Sequence, residues 1–313
     1  VKYVTSSTVC ADTTTFNVTI SSGNTVTVIG DYDVSTASLN SSFSISTYDS
    51  NPQGLVFSND GTKMFFVGYQ NDWVYEFNLS TAFDISTANY AGNSERFYVR
   101  NQEQYAIGVE FNDDGHKMYI IGDSGNDINE YNLSNAFDIS SASFAGNSER
   151  FNVNTYGGET QPQSLAFNND GTKMFVVGWS LDRVLEYNLS IAFDVSSAIY
   201  AGASESFYIG SQEGSCRSLA FNDNGTKMFV LGQASDDVHE YNLSTAFDVS
   251  SAVYAGSSES FEFSSDTSPN SLTFNNVGTK MYILGNSTKA IYEFNLNNPS
   301  VQTVCQNQAI TNI

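Results

Sequence analysis

Positive charge is scarce in this chain: of 313 residues only 12 are Lys or Arg, against 34 Asp or Glu, which leaves a formal net charge of −22 and a pI near 4.1. So acidic a chain repels phosphate backbones and anionic lipid surfaces, and nucleic acid and membrane insertion are set aside as partners. A solvated surface suited to salty water is the simplest reading of the charge; a surface that collects Ca²⁺ is the sharper one. Long apolar runs are also missing. Nothing approaches the roughly 18 residues of a membrane span, and no amphipathic helical stripe recurs. Proline numbers 4 and histidine 2. There are three cysteines, Cys10, Cys216 and Cys305, and an odd count excludes complete intrachain pairing. The chain opens at Val1 with no leader peptide in view, which reads as a processed or excised piece.

What the chain has is repetition. Hydrophobic residues make up 40% and aromatics 14%, enough for a core, and they come in short runs such as Lys63-Met64-Phe65-Phe66-Val67 punctuated by Asx-Asx-Gly. LVFSNDGTKMFFVG (55–68) returns as VEFNDDGHKMYIIG (109–122), LAFNNDGTKMFVVG (165–178), LAFNDNGTKMFVLG (219–232) and LTFNNVGTKMYILG (272–285). The turn glycines Gly61, Gly115, Gly171, Gly225 and Gly278 are spaced 54, 56, 54 and 53 residues apart. Each copy continues into a second run of the VYEFNL (74–79) type, and four copies go on through STAFDISTA-like phrases to an aromatic strand such as SERFYV (94–99). Four strands per copy follow: A (55–57), B (63–67), C (74–79) and D (97–99). One four-stranded antiparallel sheet per period of about 40–50 residues is a propeller blade.

The fifth copy lacks its outer strand, and the missing piece stands before the first. YDVSTASLNSSFSIS (32–46) matches FDISTANYAGNSERFYV (83–99), with Asp33 against Asp84 and Phe43 against Phe97. The fold expected is therefore all-β: a five-bladed β-propeller of four-stranded antiparallel blades, its ring closed by an N-terminal outer strand in the last blade. Closure removes the open sheet edges. The organisation is a strand pair or module boundary at 1–30, the propeller at 31–299, and a linker or the start of the next module at 300–313.

Features present in all five copies serve the fold. Asx-Asx-Gly fits a tight hairpin in which Gly supplies the positive φ; the fifth copy reads Asn276-Val277-Gly278 and no terminal Glu follows, so a calcium loop is not indicated. Lys63, Lys117, Lys173, Lys227 and Lys280 open the B strands, and Glu76, Glu130, Glu186, Glu240 and Glu293 sit mid-strand C, which predicts a repeated structural ion pair. Asn-Leu-Ser at Asn78, Asn132, Asn188 and Asn242 matches the glycosylation sequon, but the C–D turn calls for the same residues.

In a propeller the D–A and B–C connections share one face, and here that is the face that varies. It carries both tryptophans. Tyr69, Trp73, Tyr105, Asp127, Trp179, Asp182, Arg183 and Arg217 are its candidate ligand-binding residues, because exposed aromatics beside polar groups suit sugar stacking or protein contact. Packing of the tryptophans over blade edges is the competing reading. Glu103, Glu159, Glu213 and Asp266 lie in the same connections and count as irregular acids of that face. Catalysis is not expected. Glu110 alone places a carboxylate in an A strand, His116 and His239 sit in different blades, Cys216 has no evident His partner, and propeller glycosidases need paired acids. No catalytic residues and no cofactor are assigned; calcium stays open.

The unit P-x-S-L-x-F-x-x-D-G-T-K-M-[FY]-[FV]-V-G and the phrase NLSTAFDVSSA resemble propeller repeats of secreted and surface proteins of marine bacteria and archaea. The tail SVQTVCQNQAITNI (300–313) is similar to the opening of Ig-like repeats in very large Bacteroidota adhesins, gliding-motility proteins among them. That resemblance implies export, attachment at the cell surface and flanking modules in the same polypeptide. The implied function is a non-catalytic adhesion module that presents its variable face to a glycan or protein; a secreted carbohydrate-active enzyme or lectin-like propeller is the alternative. In an oxidising compartment the two chain ends, brought together by ring closure, would let Cys10 pair with Cys305 and leave Cys216 free. Pairing of each with a cysteine of a flanking module is the rival arrangement.

Overall fold

The computed structural model describes residues 30–296 and the backbone of two short strands before them, Val18–Ser21 and Thr25–Val28, which pair antiparallel as a hairpin. Cys10, Cys305 and the 300–313 tail lie outside the described residues, and with them the expected disulfide. Cys216 is a buried free thiol.

The protein is a five-bladed β-propeller. The A strands are Pro52–Phe57, Ala106–Phe111, Pro162–Phe167, Cys216–Phe221 and Pro269–Phe274, and they surround the axis. In the first blade the sheet continues outward through Lys63–Gly68 and Trp73–Leu79, and the other blades repeat this order. The B strands are apolar on both faces because each blade is sandwiched between two others, so Lys63–Gly68 is buried at every position but its lysine. Five apolar clusters fill the blade boundaries. One of them joins Val56, Phe65 and Val74 of the first blade to Val109, Phe111 and Ile120 of the second.

Local chemistry explains the repeated phrases. At the A–B hairpin Asp60 accepts from Thr62 N at 3.0 Å, and Gly61 turns the chain at φ +68°. The ring of Phe83 lies flat against Gly61, where a Cβ would come within 2.2 Å of it. Phe83 N donates to Gly61 O at 2.9 Å, and Phe137, Phe193, Phe247 and Tyr32 occupy the same place in the other blades. The Asp of each FDIS-like phrase caps a 3₁₀ turn; Asp84 accepts from Ser86 N at 3.0 Å. Asn78 is not in a turn. It lies within strand C, opposite Lys63 and exposed.

The outer edge differs from expectation in detail. In the first four blades strand D is two pieces, for example Ala88–Tyr90 and Phe97–Tyr98, because the Gly92-led turn Asn93–Glu95 lifts the chain off strand C between them. In the fifth blade the N-terminal segment Ser38–Ser44 runs along Ala290–Asn295 with one bulge, Phe43 opposite Ile291, and closes the ring as the sequence match predicts.

Candidate functional site

The A strands place one side chain per blade on the axis: Gln53, Ile107, Gln163, Arg217 and Asn270. The residue after each B strand rises beside them: Tyr69, Asp123, Trp179, Gln233 and Asn286. A main-chain bond fixes each of these to the D–A connection, as in Trp179 N to Gln161 O at 2.9 Å and Tyr69 N to Asn51 O at 3.0 Å. The scaffold repeats five times while the side chains it displays do not.

Below this rim sits a ring of buried acids, Asp49, Glu103, Glu159, Glu213 and Asp266. They are not ligand groups, which corrects the reading of this face as rich in irregular acids. Each ties a D–A connection to the B–C loop of its blade: Glu159 accepts from Gln161 N at 2.8 Å, Ser180 N at 3.1 Å and Leu181 N at 3.1 Å, and Glu213 and Asp266 repeat the pattern. The glycine ending each B strand makes room; a Cβ on Gly178 would lie 2.2 Å from the Glu159 carboxyl carbon. Burial pushes Glu103 up to about 7.

The rim encloses a well of about 260 Å³. On one side Tyr69 stacks on Tyr105, centroids 4.9 Å apart and planes 25° apart. On another the Arg217 guanidinium lies 4.2 Å from the Trp179 ring centroid. Arg217 donates through Nη1 to Gln163 Oε1 at 2.6 Å and through Nη2 to Gln233 Oε1 at 2.9 Å. Gln233 Nε2 donates to Asn270 Oδ1 at 2.8 Å, and Asn270 Nδ2 to Pro52 O at 2.9 Å. This lattice forms a floor across the channel. Burial raises the Asp123 carboxyl, against the opposing influence of the Arg217 charge and the nearby Tyr69 hydroxyl. Two enclosed polar atoms have no partner among the described residues, the donor Arg217 Nε and the acceptor Asn286 Oδ1.

Beneath the floor lies a second cavity of about 250 Å³, open toward the A–B turns. Glu110, Asp113 and Asp223 are on its wall, and burial lifts Glu110 up to about 7. Asn169 Nδ2 donates to Asp223 O at 2.6 Å, and Asn59 and Asn276 make the same kind of bond to the next turn, so Asn side chains bridge three of the five steps between neighbouring turns at the lower rim. For a metal, two groups of carboxylates among the described residues come within reach of one another at blade boundaries, Glu76–Glu95–Asp138 and Glu130–Glu149–Asp194. Lys63 and Lys117 already hold the buried member of each, at 2.7 and 2.8 Å.

Of the residues singled out from sequence, Tyr69, Tyr105, Trp179 and Arg217 meet at the mouth. The other four belong to the C strands or to the turn before one, the third layer out from the axis, and are not brought there. Trp73 packs on Tyr98 at 4.9 Å under Arg96 at 4.1 Å, so the blade-edge reading describes it. Asp127 pairs with Arg150 at 2.6 Å. Arg183 donates to Ser206 Oγ at 3.1 Å, and Asp182 holds a left-handed turn at φ 49°. Asp123, Gln163, Gln233 and Asn270 were not singled out. Their signal was there, namely positions equivalent in every repeat but different in residue type.

No family model and no curated protein matches the sequence. Solved structures share the fold. The luciferin-regenerating enzyme aligns with a TM-score of 0.50 and 10% identity over 82% of this chain and 95% of that one. A nidogen/laminin complex gives 0.48 and 10% over 78% and 76%, and the periplasmic gluconolactonase of Pseudomonas aeruginosa 0.44 and 12% over 80% and 68%. Against three further structures, from Desulfotomaculum acetoxidans and two Bacteroides species, the chain spans 62%, 65% and 66% of the other chain's length. At these identities the likeness establishes the propeller fold. The expectation that the chain is no enzyme is not upheld, since the propeller fold is one it shares with a protein named as a luciferin-regenerating enzyme. Nor does Glu110 stand alone in the channel: Asp113 and Asp223 line the same cavity from the turns.

Proposed function

We propose that the protein binds a carbohydrate at the upper mouth of its channel, as the recognition module of an exported surface protein. One observation carries the reading: two aromatic stacks, Tyr69–Tyr105 and Trp179–Arg217, flank a well floored by an amide and guanidinium lattice. Flat apolar faces suit the C–H faces of sugar rings, and fixed amides suit their hydroxyls. The likeness of the repeats to those of surface proteins supports the cell-surface setting and the flanking modules. A carbohydrate-active enzyme is the second reading, favoured by Glu110 on the wall of the lower cavity.

A glycan array probed with the wild-type protein and with Trp179→Ala tests the mouth. Loss of an aromatic anchor of about 2 kcal/mol should weaken binding at least about tenfold. Normal binding by Trp179→Ala, together with loss of binding on substitution of Asn169 or Asp223 at the lower rim, would move the site to the other face. Release of reducing ends from bound glycans would favour the enzyme reading.

A further inference from the structure

We infer that the glycan carries oxyanion groups, carboxylate or sulfate, and runs outward from the mouth over the third blade, where Arg217, Trp179, Arg183 and Tyr208 follow one another; the inference rests on the carbohydrate reading above. Bases are few in this chain, 12 against 34 acids, and seven of them each hold a carboxylate within 3.1 Å. Among the described residues four Lys or Arg side chains have no such partner: Arg96, Arg183, Arg217 and Lys289. All four lie toward the upper face. Arg217 is at the mouth, Lys289 ends a B–C connection, Arg183 opens a C strand, and Arg96 lies over Trp73, which opens another. In so acidic a chain a guanidinium left without an acid is the exception.

Each arginine of the row lies on a ring: Arg217 Cζ is 4.2 Å from the Trp179 centroid and Arg183 Cζ 5.9 Å from that of Tyr208. A ring covers one face of a guanidinium, while the N–H groups lie in its plane, so the fork that meets an oxyanion stays open. Of the five N–H groups of Arg217, Gln163 and Gln233 engage two, which leaves three, Nε included. Arg183 donates through Nε to Ser206 Oγ, and its two Nη groups have no partner among the described residues. Asp123, which shares the well, and Asp182, next to Arg183, bond to neither arginine. Strand order sets the row. Trp179 follows strand B of the third blade, Arg183 opens strand C and pairs with Tyr208 of strand D, and Arg217 comes from strand A of the fourth. At roughly 4.8 Å per strand the row reaches about 14 Å outward, a span for an oligosaccharide rather than a single ring. Trp179 and Tyr208 are exposed, at 37% and 49%. In the fourth blade Asp237 and Glu262 take the places of Arg183 and Tyr208, and in the second Asp127 and Asn152, so neither flanking blade puts a cation there. The net charge of −22 acts at long range, where salt screens it beyond about 8 Å; the two forks act by contact.

The test is a glycan array followed by isothermal titration with uronate, sulfated and neutral oligosaccharides, and with the uronates as methyl esters, which keep the ring and lose the charge. The wild-type protein should favour acidic oligosaccharides over neutral or esterified ones at least about tenfold, and added NaCl should shrink that ratio. Arg183→Gln, at the outer end of the row and melting as the wild type does, should remove most of the preference. Arg183→Lys, which keeps the charge without the fork, should restore only part of it. Lys289→Gln takes an equal charge from the same face and should leave the ratio unchanged. A preference for uronates over sulfated sugars, or the reverse, names the oxyanion and supports the row in either case. Neutral sugars bound as tightly as acidic ones, a ratio untouched by Arg183→Gln, or an equal loss in Lys289→Gln would overturn the inference and leave the carbohydrate site standing. Binding to no sugar of any class would remove both.

Discussion

Lys280 and Glu293 meet at 2.6 Å, and together they reach across the seam where the ring closes. Lys280 Nζ also donates to Phe83 O at 2.8 Å, and Glu293 Oε2 accepts from Ile85 N at 2.9 Å, both atoms of the first blade. The same clasp recurs around the ring: Lys63, Lys117 and Lys173 donate to Phe137 O, Phe193 O and Phe247 O of the blade that follows each. The repeated Lys–Glu pair is thus a fastening between blades, and the phenylalanines it grips hold a left-handed conformation that turns their carbonyls toward it.

Breaking one half of the clasp should be worse than removing it whole. Lys280→Met leaves Glu293 buried without its countercharge and is expected to cost about 3–5 kcal/mol in urea denaturation. Lys280→Met combined with Glu293→Gln should recover much of that loss. Equal, small effects of the single and double variants would show that the seam does not depend on this pair.

The two tryptophans should separate cleanly. Trp73→Ala removes packing on Tyr98 and under Arg96 at a blade edge, and should lower the melting temperature while glycan affinity stays within about twofold. Trp179→Ala should do the reverse. Loss of binding in Trp73→Ala at unchanged stability would contradict the assignment.

Glu110 gives stability a pH dependence. Burial raises its folded-state value from 4.5 to about 7, so the protonated form is favoured in the fold. Its contribution is fully present below about pH 4.5 and is lost as the pH rises through about 7. Glu110→Gln should therefore gain stability relative to wild type on going from pH 5 to pH 8, by at most about 3 kcal/mol at 1.36 kcal/mol per pH unit. Urea denaturation at both pH values measures the difference, and a gap that does not change with pH would show that the carboxyl ionises normally.

In the second blade Asn129 is fully buried with neither side-chain atom partnered among the described residues, and Tyr131 Oη and Glu103 Oε2 are likewise unpartnered. The equivalent residue of the third blade is buried Leu185. Asn129→Leu should therefore stabilise the protein by about 1–3 kcal/mol, read from the denaturation midpoint. A destabilised variant would mean that the polar side chain is supported within the blade.

Blade count, strand order and the loan of Ser38–Ser44 to the last blade were legible in the sequence alone, because every blade meets the same packing problem and meets it with the same residues. The ring of acids was legible too. Asp49, Glu103, Glu159, Glu213 and Asp266 keep the 54, 56, 54 and 53 spacing of the turn glycines, but alternation between Asp and Glu in loops of different composition made them pass for variation. The mouth was legible only by halves. Residues in the same run of sequence, Trp73 and Tyr69, part company in space: one begins the third strand from the axis, the other tops the second. Distance from the axis, and the partners met there, are properties of the closed ring. Only the tertiary structure set Arg217 against Trp179 across a blade boundary and engaged it with Gln163 and Gln233.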